Sequence, residues 1–130
     1  MKAKPLRPTE SELDILKVLW AHGALTVRGV HERLVTETGY TTVLKLMQIM
    51  AEKGLVVRDE SQRAHVYTAA IDEGETKQQA VQSLAGKLFG GSGLKLAMQA
   101  LGQGKASPEE LAEMRQLIDA MEQSPKKPKR

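Results

Sequence analysis

The spacing of apolar residues changes twice along this chain, and these two changes constrain its fold more than any other feature. Up to about residue 54, apolar residues recur every three or four positions, as on one face of an α-helix. Between residues 55 and 68, two short runs of β-prone residues replace that spacing. From residue 72 the helical spacing returns. Helices, a hairpin and then helices again predict a mainly α protein with one small sheet.

The residues before the hairpin predict three helices, of which the second and third form a helix-turn-helix. The first helix follows a capping box, in which Glu12 stands three residues after Thr9. The second is capped by Thr26, its apolar spacing extends to Val35, and Gly39 is expected to close it. The third spans about residues 41–53. Only a few residues connect the second and third helices, which is the short connection that a helix-turn-helix requires.

The two β-prone runs predict a hairpin with a charged tip. Residues 55–58 and residues 64–68 are the expected strands, and five polar residues at 59–63 join them. Three helices followed by a hairpin make a winged helix-turn-helix. We expect this domain to span residues 9–71, after a flexible N-terminus of residues 1–8.

The helices that follow the hairpin predict a homodimer. Residues 72–123 are helical in spacing, with glycine-rich breaks, and each helix is apolar on one side only. So short a chain cannot cover all these faces by itself, whereas two copies can cover each other. We therefore expect residues 72–123 to be a helical dimerisation region and residues 124–130 to be a disordered basic tail. The residues expected at the dimer interface are Val81, Leu84, Leu88, Phe89, Leu94, Leu101, Leu111, Met114, Leu117, Ile118 and Met121.

Composition excludes several classes of protein. The chain has no cysteine, which excludes disulfides, thiolate metal sites and thiol catalysis. Aromatic residues make up 3% of the chain, which argues against a stacking surface for single-stranded nucleic acid. Trp20 is interpreted as a core residue. No apolar run approaches the roughly 20 residues of a membrane span, and no signal peptide is recognised, so we expect a cytoplasmic protein without membrane contact of its own.

The sequence contains no recognisable catalytic or metal-binding motif. His22, His31 and His65 lack the spacing of metal ligands. The glycine cluster at residues 90–93 lacks the strand and the lysine of a phosphate-binding loop. We therefore expect no enzymatic activity, no metal and no cofactor.

Charge is distributed unevenly along the chain. Residues 1–71 hold ten Lys and Arg against eight Asp and Glu, and residues 72–123 hold five against eight. The last seven residues hold four basic residues and no acidic one. A mildly basic first segment is compatible with phosphate binding but does not establish it.

The outward face of the third predicted helix carries side chains that suit base edges in the DNA major groove. Threonine hydroxyls can bond a base or a phosphate, leucine can pack on a thymine methyl group, lysine can donate to guanine or phosphate, and glutamine fits adenine. On spacing alone, this face could equally be the solvated side of an amphipathic helix. Basic residues of the hairpin and the second helix could contact phosphate, or could simply deter aggregation at a strand edge. The candidates are Thr41, Thr42, Leu44, Lys45, Gln48, Arg28, Arg58, Arg63 and His65.

Six segments, in order and at the expected spacings, resemble the BlaI/MecI penicillinase-repressor family. They are LDILKVLW at 13–20, TVRGV at 26–30, YTTVL at 40–44, MAEKGLV at 50–56, RAHVY at 63–67 and FGGS at 89–92. The resemblance implies a dimeric winged-helix repressor of β-lactamase or related operons, and hence a role in antibiotic resistance. It also implies release when a membrane sensor-protease triggers cleavage of the repressor. Gln99-Ala100 stands where staphylococcal members have the cleaved Asn-Phe pair.

These observations predict a sequence-specific repressor that binds double-stranded DNA as a homodimer on a pseudo-palindromic operator. The alternative is a winged-helix adaptor that binds another protein and no specific DNA, because a fold does not by itself determine function.

Overall fold

The computed structural model describes residues 7–124 of the chain. The helices of this part are α1 (Glu10–His22), α2 (Val27–Arg33), α3 (Tyr40–Lys53), α4 (Glu73–Leu88), α5 (Gly93–Leu101) and α6 (Pro108–Gln123), and the strands are β1 (Leu25–Thr26), β2 (Val56–Asp59) and β3 (Val66–Ala69). Described residues up to Gln78 form one compact unit, and those from Gln79 form a second. Most of the predicted flexible N-terminus (1–8) and basic tail (124–130) lies outside the described residues.

The capping box predicted before α1 is present with both of its hydrogen bonds. The hydroxyl oxygen of Thr9 accepts from the Glu12 backbone N–H at 3.2 Å, and Glu12 Oε1 accepts from the Thr9 backbone N–H at 2.9 Å. The helix ends at Gly23, whose φ of 83° lies in the left-handed region that glycine adopts without strain. Local side-chain chemistry therefore defines both ends of α1.

The second helix is shorter than the sequence predicts. α2 ends at Arg33, and Leu34 has extended backbone angles. The prediction that this helix continues through Val35 to Gly39 is therefore wrong, and the Val35 side chain is 98% exposed. Leu34 still packs against the core. The chain leaves the helix early because the residues before Tyr40 must turn it into α3.

The hairpin forms, and a third strand joins it. The strand order is β1-β3-β2, with β3 antiparallel to both neighbours. β1 was not predicted, because two residues are too few to show an alternating pattern. Leu55, expected to begin the first hairpin strand, precedes β2 and is buried in the core.

The core of the first unit is almost entirely aliphatic. Its buried side chains are Ile15, Leu16, Leu19, Val27, Val30, Val43, Met47, Met50, Leu55, Val56 and Tyr67. Trp20 packs against this core, as expected, and its indole N–H donates to the Ile71 carbonyl at 3.0 Å. Helices α1, α2 and α3 and the sheet all contribute to the same core, which fixes α3 relative to the hairpin.

The second unit buries few of its apolar side chains. Ala85 is buried, whereas Phe89 and Met114 are half-buried. Large apolar side chains that remain exposed are Val81, Leu84, Leu88, Leu94, Met98, Leu101, Leu111, Leu117, Ile118 and Met121. A second capping box, formed by Ser107 and Glu110, begins α6. The helices of this unit are thus defined by local signals, and their apolar sides are left uncovered within one chain.

Among the described residues, no helix combines the length and the apolar character needed to cross a membrane.

Candidate nucleic-acid interface

The sequence of α3 determines which of its sides can face a ligand. Val43, Met47 and Met50 are fully buried at helical spacing, so this side of α3 packs on the core. The helix ends at Gly54, whose φ is 87° and whose backbone N–H donates to the last turn of the helix. The other side of α3 remains open to solvent.

An open cleft of about 460 Å³ lies between α3, the start of α2 and the hairpin. It is lined by Thr26, Val27, Arg28, Tyr40, Leu44, Gln48, Arg58, Arg63, Ala64, His65 and Tyr67. Six of the nine candidate DNA-binding residues are in this lining, although they come from three separate segments of the sequence. The fold therefore brings together most of the residues that the sequence singled out.

The other three candidates, Thr41, Thr42 and Lys45, are exposed on α3 and do not line the cleft. Leu44 departs from expectation, because it is half-buried against the core instead of standing on a polar surface. It also lines the cleft, so part of its side chain stays accessible.

Tyr40, the first residue of α3, links that helix to α2. The Arg28 guanidinium lies 6.0 Å from the centre of the Tyr40 ring, and the His31 ring meets it edge-on at 5.9 Å. Tyr40 was not among the predicted site residues. Tyr40 directly precedes Thr41 at the start of the third predicted helix, and this position was the sequence signal that could have identified Tyr40 as a site residue.

Arg58 is held between two partners on the hairpin. Its guanidinium forms an ion pair of 2.6 Å with Glu60. A hydrogen bond with the Tyr67 hydroxyl, and then the charge of Glu60, hold the pKa of Arg58 above its usual value. At the hairpin tip, Asp59 accepts from the Ser61 backbone N–H at 2.9 Å, which lowers the pKa of that carboxyl. Arg58 is thus an exposed cation at the cleft, next to Glu60 and opposite Tyr67.

A buried ion pair anchors the far end of α3. Glu12 is 2% exposed, and its Oε2 accepts from Lys53 Nζ at 2.8 Å. Burial by itself would raise the pKa of the Glu12 carboxyl, but the hydrogen bonds from Lys53 and from the Thr9 backbone N–H lower it overall. The Glu12 carboxylate therefore joins the start of α1 to the end of α3.

Within residues 7–124, no group of three or more His, Asp or Glu side chains could hold a metal ion. The lining of the cleft contains three arginines together with hydroxyl and amide donors, which suits an anionic ligand.

A helix-turn-helix whose second helix is exposed on one side, beside a hairpin that carries Arg58 and Arg63, is the arrangement found in winged-helix DNA-binding domains. The family model described as "Penicillinase repressor" matches residues 8–120. The chain therefore belongs to the penicillinase repressor family, as the six sequence segments indicated. This is a family of DNA-binding transcriptional repressors and not of enzymes.

Two relatives and one solved structure illustrate the similarity. The penicillinase repressor of Bacillus licheniformis is 23% identical over 113 residues, which cover 85% of this chain and 88% of that protein. The transcriptional regulator BlaI of Mycobacterium tuberculosis is 38% identical over 68 residues, which cover 50% of this chain and 49% of that protein. The solution structure of the Bacillus licheniformis BlaI monomeric form in complex with the blaP half-operator is 26% identical, with a TM-score of 0.49, and the match covers 55% of this chain and 90% of that chain.

Proposed function

We propose that this chain represses transcription by binding a pseudo-palindromic operator in double-stranded DNA as a homodimer. The observation that carries the proposal is the cleft beside α3, where Arg28 of α2 comes together with Arg58 and Arg63 of the hairpin. DNA binding depends strongly on neutralising phosphates with Lys and Arg. Membership of the penicillinase repressor family supports the same function.

In this proposal, the exposed side of α3 enters the major groove. Thr41, Thr42, Lys45 and Gln48 are all exposed on that helix and can reach base edges or phosphates. The cations of the cleft contact the sugar-phosphate backbone, and these contacts set the orientation of α3. A repressor bound in this way blocks access to the DNA it covers.

The proposed dimer rests on the exposed apolar side chains of the second unit. On α6 alone, Leu117, Ile118 and Met121 are each half exposed or more. Contiguous apolar surface of this kind is characteristic of protein interfaces. A two-fold dimer would present two copies of α3 about one helical turn of DNA apart, or a small multiple of that distance. Loosening this dimer would release the operator.

The signal for release is proposed to arrive through a membrane sensor-protease pathway, acting on a repressor in the cytoplasm. Gln99 and Ala100 are exposed, but they lie inside α5. Proteases bind extended backbone, and this pair does not match the one at which family members are cut. We therefore expect loosening of the dimer, and not cleavage of this bond, to be the step that frees the operator.

The experiment that tests the proposal is selection of duplexes from a random pool by the purified protein at about 150 mM salt, where weak phosphate contacts are largely screened. We expect enrichment of one two-fold-symmetric motif. A Gln48→Ala variant should enrich a changed motif or none, whereas Lys17→Ala, a charge removed from α1 outside the cleft, should enrich the wild-type motif. A wild-type protein that enriches nothing would contradict the proposal.

A second candidate function, that of a protein-binding adaptor, is favoured by one observation. A mainly apolar groove of about 440 Å³ lies between α1 and the loop after α2, and Val35 on its edge is 98% exposed. An adaptor should bind its partner equally well after Gln48→Ala and less well after Val35→Asp. A repressor should show the opposite pattern towards duplex DNA.

A further inference from the structure

Tyr67 connects the core of the first unit to the cationic cleft. Tyr67 is 1% exposed and belongs to the hydrophobic core, yet it also lines the cleft. Tyr67 and Arg58 are direct partners in the β2–β3 ladder. Directly opposite residues of an antiparallel pair extend from the same face of the sheet, so the tyrosine hydroxyl can reach the guanidinium.

The two partners of Arg58 differ in how they would respond to DNA. The Tyr67 hydroxyl oxygen can accept a hydrogen bond from the guanidinium, and this contact can persist when a phosphate approaches. The Glu60 carboxylate, 2.6 Å from Arg58, carries the same sign of charge as a phosphate and competes with it. Glu60 is half exposed on the hairpin tip, so it is free to move away.

We propose that Tyr67 is a positioning residue for DNA binding, and that its hydroxyl directs the Arg58 guanidinium into the cleft towards a phosphate. In the free protein the Glu60 carboxylate pairs with the guanidinium, and a DNA phosphate takes the place of that carboxylate on binding. A long arginine side chain loses much rotamer freedom when it is immobilised, and a side chain already held by Tyr67 has less to lose on binding. This inference rests on the proposed function, because it requires that the cleft binds DNA.

The test uses the full chain and a mixed-sequence duplex of about 30 base pairs, with affinity measured between about 50 and 200 mM salt. Arg58→Gln should lower the slope of log affinity against log salt by about 0.9, the value for one lost phosphate contact. Tyr67→Phe should weaken binding about fivefold, the net contribution of one ordinary hydrogen bond. In the Arg58→Gln background, Tyr67→Phe should have no further effect.

Two further variants provide the controls. Thr68→Val removes a hydroxyl from the next residue of β3, which is exposed on the other face, and it should leave the affinity unchanged. Glu60→Gln should tighten binding about threefold, because the competing charge is gone, and this gain should shrink in the Arg58→Gln background. Thermal unfolding of each variant establishes that it is folded.

A measurement on the unmodified protein tests the inference without relying on a variant that folds. Nuclear magnetic resonance should find the Arg58 guanidinium ordered in the free protein, with slower rotation and proton exchange than that of Arg28. An Arg58 guanidinium as mobile as that of Arg28 would overturn the proposal.

The remaining outcomes separate this inference from the proposed function. A wild-type protein that binds no duplex overturns both. A wild-type protein that binds, with Tyr67→Phe at the same affinity, overturns the role of Tyr67 alone. The role of Tyr67 is also overturned if Tyr67→Phe weakens binding equally in the wild-type protein and in the Arg58→Gln background. An equal loss would mean that the substitution acts through general packing and not through Arg58.

Discussion

Lys45 and Gln48 lie one turn apart on the exposed side of α3, but their side chains suit different contacts with DNA. Lysine neutralises a phosphate as a point charge, whereas the amide of glutamine can make two hydrogen bonds to adenine. Lys45→Ala should therefore weaken binding to all duplexes and lower the salt slope by about 1. Gln48→Ala should cost about 1–3 kcal/mol at the preferred base pair and leave the slope unchanged.

Titration of the selected duplex and its single-base variants across a salt series measures both effects. Lys17→Ala is the matched control, because it removes the same charge from α1, where Lys17 pairs with Asp14. Equal losses from Lys17→Ala and Lys45→Ala would show that only the net charge matters.

Glu12 gives the first unit a predictable dependence of stability on pH. The folded protein lowers the pKa of this carboxyl below its usual value of 4.5. The stabilisation from Glu12 is therefore fully present above about pH 4.5 and is lost as the pH falls through the lower folded pKa. Glu12→Gln should reduce the free energy of unfolding by about 1–3 kcal/mol at neutral pH, because Lys53 and the capping box lose a charged acceptor.

Denaturant unfolding followed by Trp20 fluorescence tests this expectation. The difference between wild type and Glu12→Gln should be largest near neutral pH and should shrink as the pH falls through the lowered pKa of the folded protein. Glu52→Gln makes the same chemical change at an exposed position of α3 and serves as the control. A difference that persists undiminished at low pH would contradict the role given to the Glu12 carboxylate.

At the scale of elements, two glycines with equal space around them should respond oppositely to alanine. A Cβ at Gly54 or at Gly86 would meet no atom within 4 Å. Gly54 has a φ of 87°, where alanine is strained, so Gly54→Ala should destabilise the protein by about 1 kcal/mol. Gly86 lies within α4, so Gly86→Ala should stabilise it by about 0.5–1 kcal/mol.

Thermal unfolding followed by circular dichroism compares these two variants with wild type. A loss of stability from Gly86→Ala would indicate that its surroundings are more crowded in the assembled protein than in a single chain. If Gly54→Ala had the same stability as wild type, the end of α3 would not depend on a glycine with a positive φ at position 54.

The helices and the hairpin were largely predictable, and the deviations from prediction have physical causes. Capping boxes and apolar spacing act over a few residues, so α1 begins at the predicted capping box and α3 lies close to the predicted residues 41–53. β1 has two residues and becomes a strand only because β3 is beside it. α2 ends early because the chain must turn into α3, and the spacing of apolar residues in α2 does not indicate this turn.

At the scale of the whole molecule, the proposed dimer predicts a cooperative effect of one substitution. Leu117 is 53% exposed on α6 in the single chain. In a symmetric dimer a substitution occurs twice, so Leu117→Asp should destabilise the assembly by at least about 3 kcal/mol. The dissociation constant of the dimer would then rise more than about a hundredfold.

Sedimentation equilibrium at micromolar concentration measures this change. Gln116→Asp adds the same charge to the neighbouring exposed position and should leave the assembly intact. Leu117→Asp should also reduce binding to a two-half-site duplex far more than binding to a single half-site. A wild-type chain that sediments as a monomer would contradict the dimer.

The sequence by itself determined most of the helices, the hairpin and the nine candidate DNA-binding residues, because capping, spacing and charge are local properties. Tertiary structure decided which side chains meet. It brought six of the candidates into one cleft, packed Leu44 partly against the core and placed Tyr67 directly opposite Arg58 in the β2–β3 ladder. It also paired Glu12 with Lys53, 41 residues further along the chain. Such contacts depend on how helices and strands pack together, and no short stretch of sequence specifies that packing.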